Sequence, residues 1–188
     1  MKTRLLVILM AGLIGIGGLR AAEKPAPAYD RAEKRQGADF AAFLGEMQAA
    51  LERPQDVRVL EGLPHPREKE LLAREQKSKK VVLLHDGEFY ADPRGPDGRQ
   101  LATMPDLLAG TLSEYAGAKR CGGFHADYAV TWRAGGKDWA VLICYGCGEA
   151  AIFGPPGSLK CDLNGPRGNT WREWLAQFDE KRPKAGKG

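Results

Sequence analysis

Four short runs of apolar and β-branched residues follow one another between residues 127 and 163. Turn residues separate them, with Gly135-Gly136 between the first and second runs and a Gly-Pro-Pro-Gly segment at 154–157 between the third and fourth. This spacing predicts consecutive antiparallel strands joined by tight reversals. Residues 144–148 join the second run to the third and are too few for anything but another reversal. The pattern predicts a four-stranded β-meander with strands at 127–133, 138–144, 150–153 and 159–163.

The positions of the turns also predict the register of the meander. If Gly135 and Gly136 are the central residues of the first hairpin, Cys144 lies opposite Asp127, and the last turn likewise places Cys161 opposite Ala150. An up-and-down meander brings the start of its first strand, its second turn and the end of its fourth strand to one end. A slip of one residue would change the face that a side chain takes but not the end of the sheet. The topology therefore predicts one cluster at that end, made of Cys121, His125, Cys144, Cys147 and Cys161.

Apolar residues at helical spacing predict helices around this sheet. The helices are predicted at 40–51, 66–76, 105–116 and 170–178, and further short strands at 57–60, 81–85 and 88–91. Pro105 is suited to the first turn of its helix, and the pair Thr170 and Glu173 has the spacing of a capping box for the last helix. Because a meander leaves a face that needs covering, the helices are expected to pack on it. The predicted fold class is α+β, an antiparallel β-meander with helices packed on one face and the cysteine cluster at one end of the sheet.

The first residues have the composition of an export signal. Lys2 and Arg4 give a positive start, residues 5–19 are apolar or glycine throughout, and Ala21 is a small residue suited to cleavage. The apolar run is shorter than the roughly 20 residues that a membrane-crossing helix needs. The sequence predicts a signal peptide at 1–21, with cleavage after Ala28 as an alternative. The protein is therefore expected in the periplasm, in the cell envelope or outside the cell, with no membrane span in the mature chain unless the signal stays uncleaved.

The rest of the chain divides into three parts. Residues 22–37 are polar and contain Pro25 and Pro27, which predicts a flexible leader. Residues 38–182 have a normal length for one domain and predict a single α+β unit. Residues 183–188 predict a disordered basic tail.

The charge of the chain does not identify a partner. The 28 basic and 24 acidic side chains give a net charge of +4, but Lys2, Arg4 and Arg20 lie in the predicted signal. Without them 25 basic side chains stand against 24 acidic ones, a net charge of +1. This balance does not support a nucleic-acid partner, and the sequence points to no other partner.

The four cysteines permit three interpretations. Two disulfides are the usual outcome for an even number of cysteines in an oxidising compartment, with Cys121, Cys144, Cys147 and Cys161 as candidates. A zinc site is the alternative, since Cys-x-x-Cys-Gly on a tight turn has the form of a zinc knuckle, with Cys121, His125, Cys144 and Cys147 as ligands and Cys161 as a substitute. The third is a redox dithiol at Cys144 and Cys147. A thioredoxin-like dithiol opens a helix, however, whereas Gly148 leads into another predicted strand.

No catalytic motif is present. The sequence has no Gly-x-Ser-x-Gly, no phosphate-binding loop, no His-Glu-x-x-His and no dinucleotide fingerprint. His65 lies between two prolines and is expected to be a solvated turn residue. His85, Asp86 and Glu88 are explained by a hairpin turn at Asp86-Gly87. No cofactor is expected apart from zinc in the alternative interpretation.

Three blocks of the sequence, in this order, resemble a family. The blocks are Glu61-Gly62-Leu63-Pro64-His65, Cys121-Gly122-Gly123-Phe124-His125 and Cys144-Tyr145-Gly146-Cys147. Together they are similar to a group of small exported bacterial proteins that have no assigned activity, over roughly residues 55–182. The chain departs from that pattern at Ala126, where the group tends to have Pro, and at Gly148, where it tends to have His. The second departure removes a possible metal or haem ligand.

The sequence as a whole favours a non-enzymatic exported domain whose cysteines are structural, with a binding role in the envelope or outside the cell. The alternative is a zinc-binding protein that uses the cysteine and histidine cluster. The third hypothesis is a thiol-disulfide oxidoreductase that works through Cys144 and Cys147.

Overall fold

The protein is described by a computed structural model over residues 28–117, 119 and 123–183. The helices are α1 (Ala28–Arg31), α2 (Gly37–Leu51), α3 (Lys69–Ser78), α4 (Gly98–Ala109) and α5 (Gly168–Ala176). The strands are β1 (Gln55–Glu61), β2 (Val81–Leu84), β3 (Gly87–Tyr90), β4 (Ser113–Glu114), β5 (Tyr128–Ala134), β6 (Lys137–Cys144), β7 (Glu149–Gly154) and β8 (Gly157–Asp162). The predicted signal peptide, residues 22–27 of the predicted leader, Cys121 and the last five residues of the tail lie outside the described residues.

The predicted meander is present as β5 to β8. Tyr128 lies opposite Ile143, and Ala150 lies opposite Cys161, so the register is the predicted one. Gly135 and Gly136 both have positive φ, +57° and +76°, which the first hairpin requires and which glycine adopts without strain. The meander therefore follows from its turns.

Two further strands extend the meander into a six-stranded antiparallel sheet. β1 pairs with β5 at one edge and the short β4 pairs with β8 at the other, giving the order β1-β5-β6-β7-β8-β4. The fold is a mixed α+β fold, as the sequence predicts. β4 was not predicted, because two residues are too few for any periodic signal.

The larger core lies on the face of the sheet that carries α2, α4 and α5, called the inner face below. Alternate strand residues such as Val130, Val141 and Ile152 point to this face and contact apolar helix residues. The largest fully buried helix residues in this core are Phe43, Met47, Leu51, Met104, Leu108 and Trp171.

The opposite face, the outer face, is also covered. The hairpin of β2 and β3 contributes Phe89 to a second core with Leu142 of β6, and a bridge between Phe89 and Gly62 joins the hairpin to the end of β1. α1 contributes Tyr29, which packs against Ala151 of β7. The site described below lies on this outer face.

Two helices differ from the prediction. The helix expected at 105–116 begins at Gly98, because Asp97 and Gln100 form a reciprocal capping box that starts it earlier. Pro105 lies inside this helix, and the chain beyond Gly110 forms β4 instead of continuing as helix. In α5 the N-cap position is Arg167, so the capping box predicted at 170–173 does not start that helix.

Part of the predicted flexible leader is packed against the domain. Tyr29 and Ala32 are buried on the outer face. The backbone carbonyl of Glu33 accepts a hydrogen bond from the backbone N–H of Lys160 at 2.7 Å, and the guanidinium of Arg35 donates to the carbonyl of Pro156. Burial of the Tyr29 ring, together with these hydrogen bonds, holds the segment on the domain although the stretch is polar in composition.

Candidate functional site

The three described cysteines lie at one end of the sheet. Cys144 ends β6, Cys147 lies in the turn that follows, and Cys161 lies on β8. Cys144 is opposite Glu149 on the outer face, whereas Cys161 is opposite Ala150 in the inner-face core. Because successive residues of a strand point to opposite faces, the sheet itself separates the two sulfurs. The topology brings these residues to the same end but not to the same side.

Cys144 and Cys161 are free thiols and do not form the second of two disulfides. The physical reason is their placement on opposite faces of the sheet. Their side chains are almost fully buried, at 2% and 0% exposure. Burial raises the pKa of both thiols, and the backbone N–H groups of His125 and Cys147 offset this only in part at Cys144. A buried thiol with a raised pKa is a poor nucleophile.

Cys147 is disulfide-bonded. Its partner is neither Cys144 nor Cys161, since both are free, and Cys121 lies outside the described residues. The Sγ atom of Cys147 lies 3.3 Å from the carbonyl oxygen of Gly123. The turn between β6 and β7 therefore contacts the segment that leads into β5, and this segment carries two of the residues that build the site.

The predicted zinc ligands are only partly brought together. Within the described part of the chain, no three His, Cys, Asp or Glu side chains form a group that could hold a metal ion. A disulfide sulfur is not the thiolate that binds zinc, so the predicted ligand set requires Cys147 in its reduced form. The zinc site stays a prediction.

His125 lies on the outer face beside His65, in the loop after β1. Its side chain is 14% exposed, and the two ring centroids are 5.0 Å apart. The Nδ1 atom of His125 lies 3.9 Å from a carboxylate oxygen of Asp127 and has no hydrogen-bond partner among the described residues. Burial lowers the pKa of His125, the charge of Asp127 opposes this, and nearby Arg182 and His65 lower the pKa further. The ring is therefore neutral at pH 7.

The segment after β1 is held by the end of the chain. The buried carboxylate of Glu61 accepts backbone hydrogen bonds from residues 180–182 at 2.8 to 3.2 Å. The guanidinium of Arg182 donates to the carbonyl of Gly62 and to Asp127. A Cβ atom on Gly62 would lie 2.0 Å from the carbonyl oxygen of Ala126, so only glycine fits there. These contacts fix the loop that carries His65.

A buried polar cluster lies beside Cys144 on the outer face. The hydroxyl of Tyr29 donates a hydrogen bond to the carboxylate of Glu149, which is only 3% exposed. The ammonium of Lys160 lies 3.8 Å from the centroid of the Tyr29 ring, and the same ring stacks on Phe124 with centroids 3.7 Å apart. Burial raises the pKa of Tyr29 and lowers that of Lys160. The packed leader thus covers charges that would otherwise face solvent.

A second buried carboxylate continues this cluster toward β4. Asp162 is fully buried and accepts a hydrogen bond from the ammonium of Lys119 at 2.8 Å and one from the backbone N–H of Ala116 at 3.1 Å. The bond to Asp162 raises the pKa of Lys119. The pair closes the β8 edge of the cluster.

A cavity of about 360 Å³ lies between the hairpin, α1 and the segment before β5. Ala126 and Leu142 give it an apolar floor, and the aromatic rings that line it belong to Tyr29, His85, Phe124 and His125. Its size and its mixture of apolar and polar walls are those of a small-molecule site. Titratable side chains from separate segments of the chain, Asp30, His85 and His125 among them, line this cavity.

The charges around this cavity have one sign. Asp30, Asp86 and Glu88 contribute to its lining, and no described lysine or arginine does. Asp86 has a neighbouring cation in Arg31, at 3.7 Å, but both side chains are more than half exposed and such a pair is weak. The cavity therefore favours a ligand with positive charge.

A larger hollow of about 860 Å³ adjoins the cavity on the outer face. It is an open groove lined by Thr131, Phe153 and charged residues of both signs, including Arg133 and Asp138. His85 lines both spaces and stacks on Phe153 with ring centroids 3.8 Å apart, so it forms the boundary between them. The groove offers less enclosure and no consistent charge.

Several residues of this site were missed in the sequence. Glu149 and Lys160 occupy alternate strand positions that predict a solvated face, and nothing nearby signals that a cover exists. The cover comes from Tyr29, in a stretch whose polar composition predicts a leader. Phe124 had a signal, since it belongs to the block Cys121–His125 on which the family resemblance rests.

Comparison of the chain with protein-family models, with curated proteins and with solved structures gives no match. Among the helices of the described residues, none has the length and hydropathy needed to cross a membrane.

Proposed function

We propose that the protein is a non-enzymatic exported binding domain whose outer-face cavity takes a small, positively charged ligand with an aromatic or apolar body. The observation that carries this proposal is the enclosed cavity of about 360 Å³ with an apolar floor and acidic walls. Aromatic rings beside carboxylates are the usual means of holding an organic ammonium ion, through cation–π attraction and charge-assisted hydrogen bonds.

The neutral state of the histidines supports a cationic ligand. Burial lowers the pKa of both His85 and His125, so neither ring carries charge at pH 7. A neutral imidazole offers one nitrogen as an acceptor to an N–H donor. Protonated rings would instead repel a cation. The preferred ligand therefore binds best above the range in which the histidines titrate.

The cysteines have a structural part in this proposal. We propose that Cys121 is the partner of Cys147, which would tie the segment carrying Phe124 and His125 to the β6–β7 turn. The contact between Cys147 and Gly123 supports it. Peptide mapping of the unreduced protein tests it: the proposal expects one cross-linked peptide pair with Cys121 and Cys147, and a bond between Cys144 and Cys147 would contradict it.

The burial of Cys144 supports a binding role over thiol-disulfide exchange. An exchange enzyme needs an accessible thiolate, and Cys144 combines near-complete burial with a raised pKa. Export is proposed from the signal-like composition of residues 1–21, and it predicts that protein recovered from cells has lost these residues. An intact mass that still includes them would contradict cleavage.

The ligand class is tested by NMR titration with two matched probes, benzylamine and benzoate, at the same pH and ionic strength. We expect benzylamine to shift the amide signals of Gly87, Phe124 and Ala126, and benzoate to leave them unchanged. The variant Ala126→Leu fills the floor of the cavity and should abolish the shifts. The variant Ala41→Leu, at an exposed position of α2, is the matched control and should retain them.

A second variant keeps the test decisive if Ala126→Leu does not fold. The double change D86N and E88Q removes two negative charges and conserves shape, and Asn tolerates the positive φ of Asp86. It should weaken benzylamine binding by about tenfold. Equal binding of benzylamine and benzoate, or equal binding of benzylamine to the wild type and to this double variant, would contradict the proposal.

A further inference from the structure

The outer strand of the small hairpin, β2, is an unusual surface feature. The exposed large apolar residues of the described chain are Val82 and Leu83, which are neighbours on this strand, and Leu83 is 73% exposed. β2 pairs with β3 on one side only, in a two-stranded sheet. A short apolar strand with an open edge is the structure to which an extended peptide adds in β-augmentation.

The backbone of this edge is available for pairing. The two-residue turn at His85 and Asp86 makes Leu84 and Gly87 a hydrogen-bonded pair, and the bond from Ala91 N–H to the carbonyl of Lys80 continues the same alternation. The N–H and C=O groups of Val81 and Leu83 therefore point away from β3. No described residue forms a backbone hydrogen bond to those groups. The edge thus presents two donors and two acceptors in line.

The charge at one end of the edge is strongly positive. Lys77 lies in the last turn of α3, and the exposed Lys79 and Lys80 lead directly into β2. Lys79 has extended backbone angles, so the edge begins before β2 itself. Lysines next to an open edge also discourage aggregation. Here, however, three exposed lysines lie beside two exposed apolar residues, and such a surface is complementary to a ligand that is both acidic and apolar. That complement is an extended segment with acidic residues at one end and apolar residues along its length.

We propose that β2 is a docking edge for an extended, acidic segment of another protein, which adds to the hairpin as an antiparallel strand with its acidic C-terminal end beside Lys79 and Lys80. The chain's own undescribed ends are unsuitable occupants, because residues 1–27 carry four basic side chains against Glu23, and residues 184–188 carry lysine as their only charge. A second copy fits this complement less well, since antiparallel pairing of two β2 edges would bring only one carboxylate, that of Asp86, to Lys79 and Lys80.

The test uses a synthetic peptide that alternates threonine and valine over five residues and ends in three glutamates, with both termini blocked. A matched peptide ends in three lysines instead. We expect the acidic peptide to bind, by NMR titration of the full-length exported protein, with shifted amide signals confined to 79–84 and to the hairpin turn. The lysine peptide should give no shifts. The charge reversal K79E and K80E should exchange this preference.

The backbone requirement separates strand addition from simple charge attraction. The variant Leu83→Pro removes the outward N–H at an edge position that proline tolerates, and should weaken binding of the acidic peptide by about tenfold. The variant Leu83→Thr keeps this N–H and should weaken binding much less. Equal effects of the two variants, binding of both peptides alike, or binding of neither would overturn the proposal. So would concentration-dependent dimerisation that Leu83→Pro abolishes, which would assign the edge to a second copy.

Discussion

At the scale of single residues, the outer face depends on polar groups that are buried with few partners. Glu149 has one hydrogen bond, from Tyr29, and its other carboxylate oxygen has no partner among the described residues. The hydroxyl of Tyr145, unlike that of Tyr29, is buried without any hydrogen-bond partner in the described chain. The two tyrosines therefore form a matched pair for measuring what the Tyr29 hydroxyl contributes.

The change Tyr29→Phe should lower the free energy of unfolding by about 1–3 kcal/mol, because it leaves a buried carboxylate without a donor. The change Tyr145→Phe removes a hydroxyl that has no partner and should leave stability unchanged or slightly higher. Chemical denaturation of both variants measures the difference. If the two changes cost the same, the hydrogen bond between Tyr29 and Glu149 does not stabilise the leader on the sheet.

The sequence predicts the cysteine positions along the sheet but not their faces. The turns at Gly135-Gly136 and at 154–157 set the register, so Cys161 lies opposite Ala150 as expected. The face of the sheet on which each cysteine is buried depends on which segments of the chain pack on that face. This packing is not visible in the local sequence. The prediction of a second disulfide was wrong because Cys144 and Cys161 lie on opposite faces of the sheet.

At the scale of elements, local signals predict what depends on local geometry. The meander, α2 and the hairpin of β2 and β3 follow from turn residues and apolar spacing. α4 begins before its predicted start because the capping box at Asp97 determines the first turn. Pro105 then lies inside the helix, which tolerates the loss of the one backbone hydrogen bond that proline removes. The ordered leader depends on the long-range contact of Tyr29, which no local pattern reveals.

The close approach at Gly62 tests how firmly the hairpin is joined to the sheet. Gly62→Ala should destabilise the protein by about 2 kcal/mol or more, because the new Cβ would lie 2.0 Å from the carbonyl oxygen of Ala126. Gly45→Ala is the control, since a Cβ at this exposed position in α2 meets nothing within 4 Å and should stabilise the helix by about 0.5–1 kcal/mol. Thermal unfolding of both variants checks this, and a neutral Gly62→Ala would mean that the loop relaxes freely.

At the scale of the whole molecule, the cavity is assembled from segments far apart in sequence. α1, the loop after β1, the hairpin and the segment before β5 each contribute walls. Of the residues in the predicted cysteine and histidine cluster, only His125 lines the cavity. The meander topology alone does not predict where the other segments pack. The meander alone was enough to predict the fold class. Predicting the site would also require the positions of the segments that pack on the outer face of the sheet.

The buried histidines make stability depend on pH. The folded pKa values of His85 and His125 lie below the ordinary value of 6.5, so their contribution is complete above about pH 6.5 and is lost as the pH falls through the folded values. The free energy of unfolding should therefore decrease below pH 6.5. Denaturation curves between pH 8 and 5 should show a smaller decrease in the double variant H85N and H125N. If the free energy of unfolding decreases equally with pH in the wild type and in this double variant, groups other than the two histidines cause the decrease.

The most direct test of the binding proposal is the position of benzylamine in a crystal structure of the protein soaked with it. We expect the aromatic ring over Ala126 and Leu142, and the ammonium within hydrogen-bonding distance of a carboxylate of Asp30, Asp86 or Glu88. Benzylamine found only in the open groove beside Arg133 and Phe153, or a cavity without benzylamine at saturating concentration, would contradict the binding proposal.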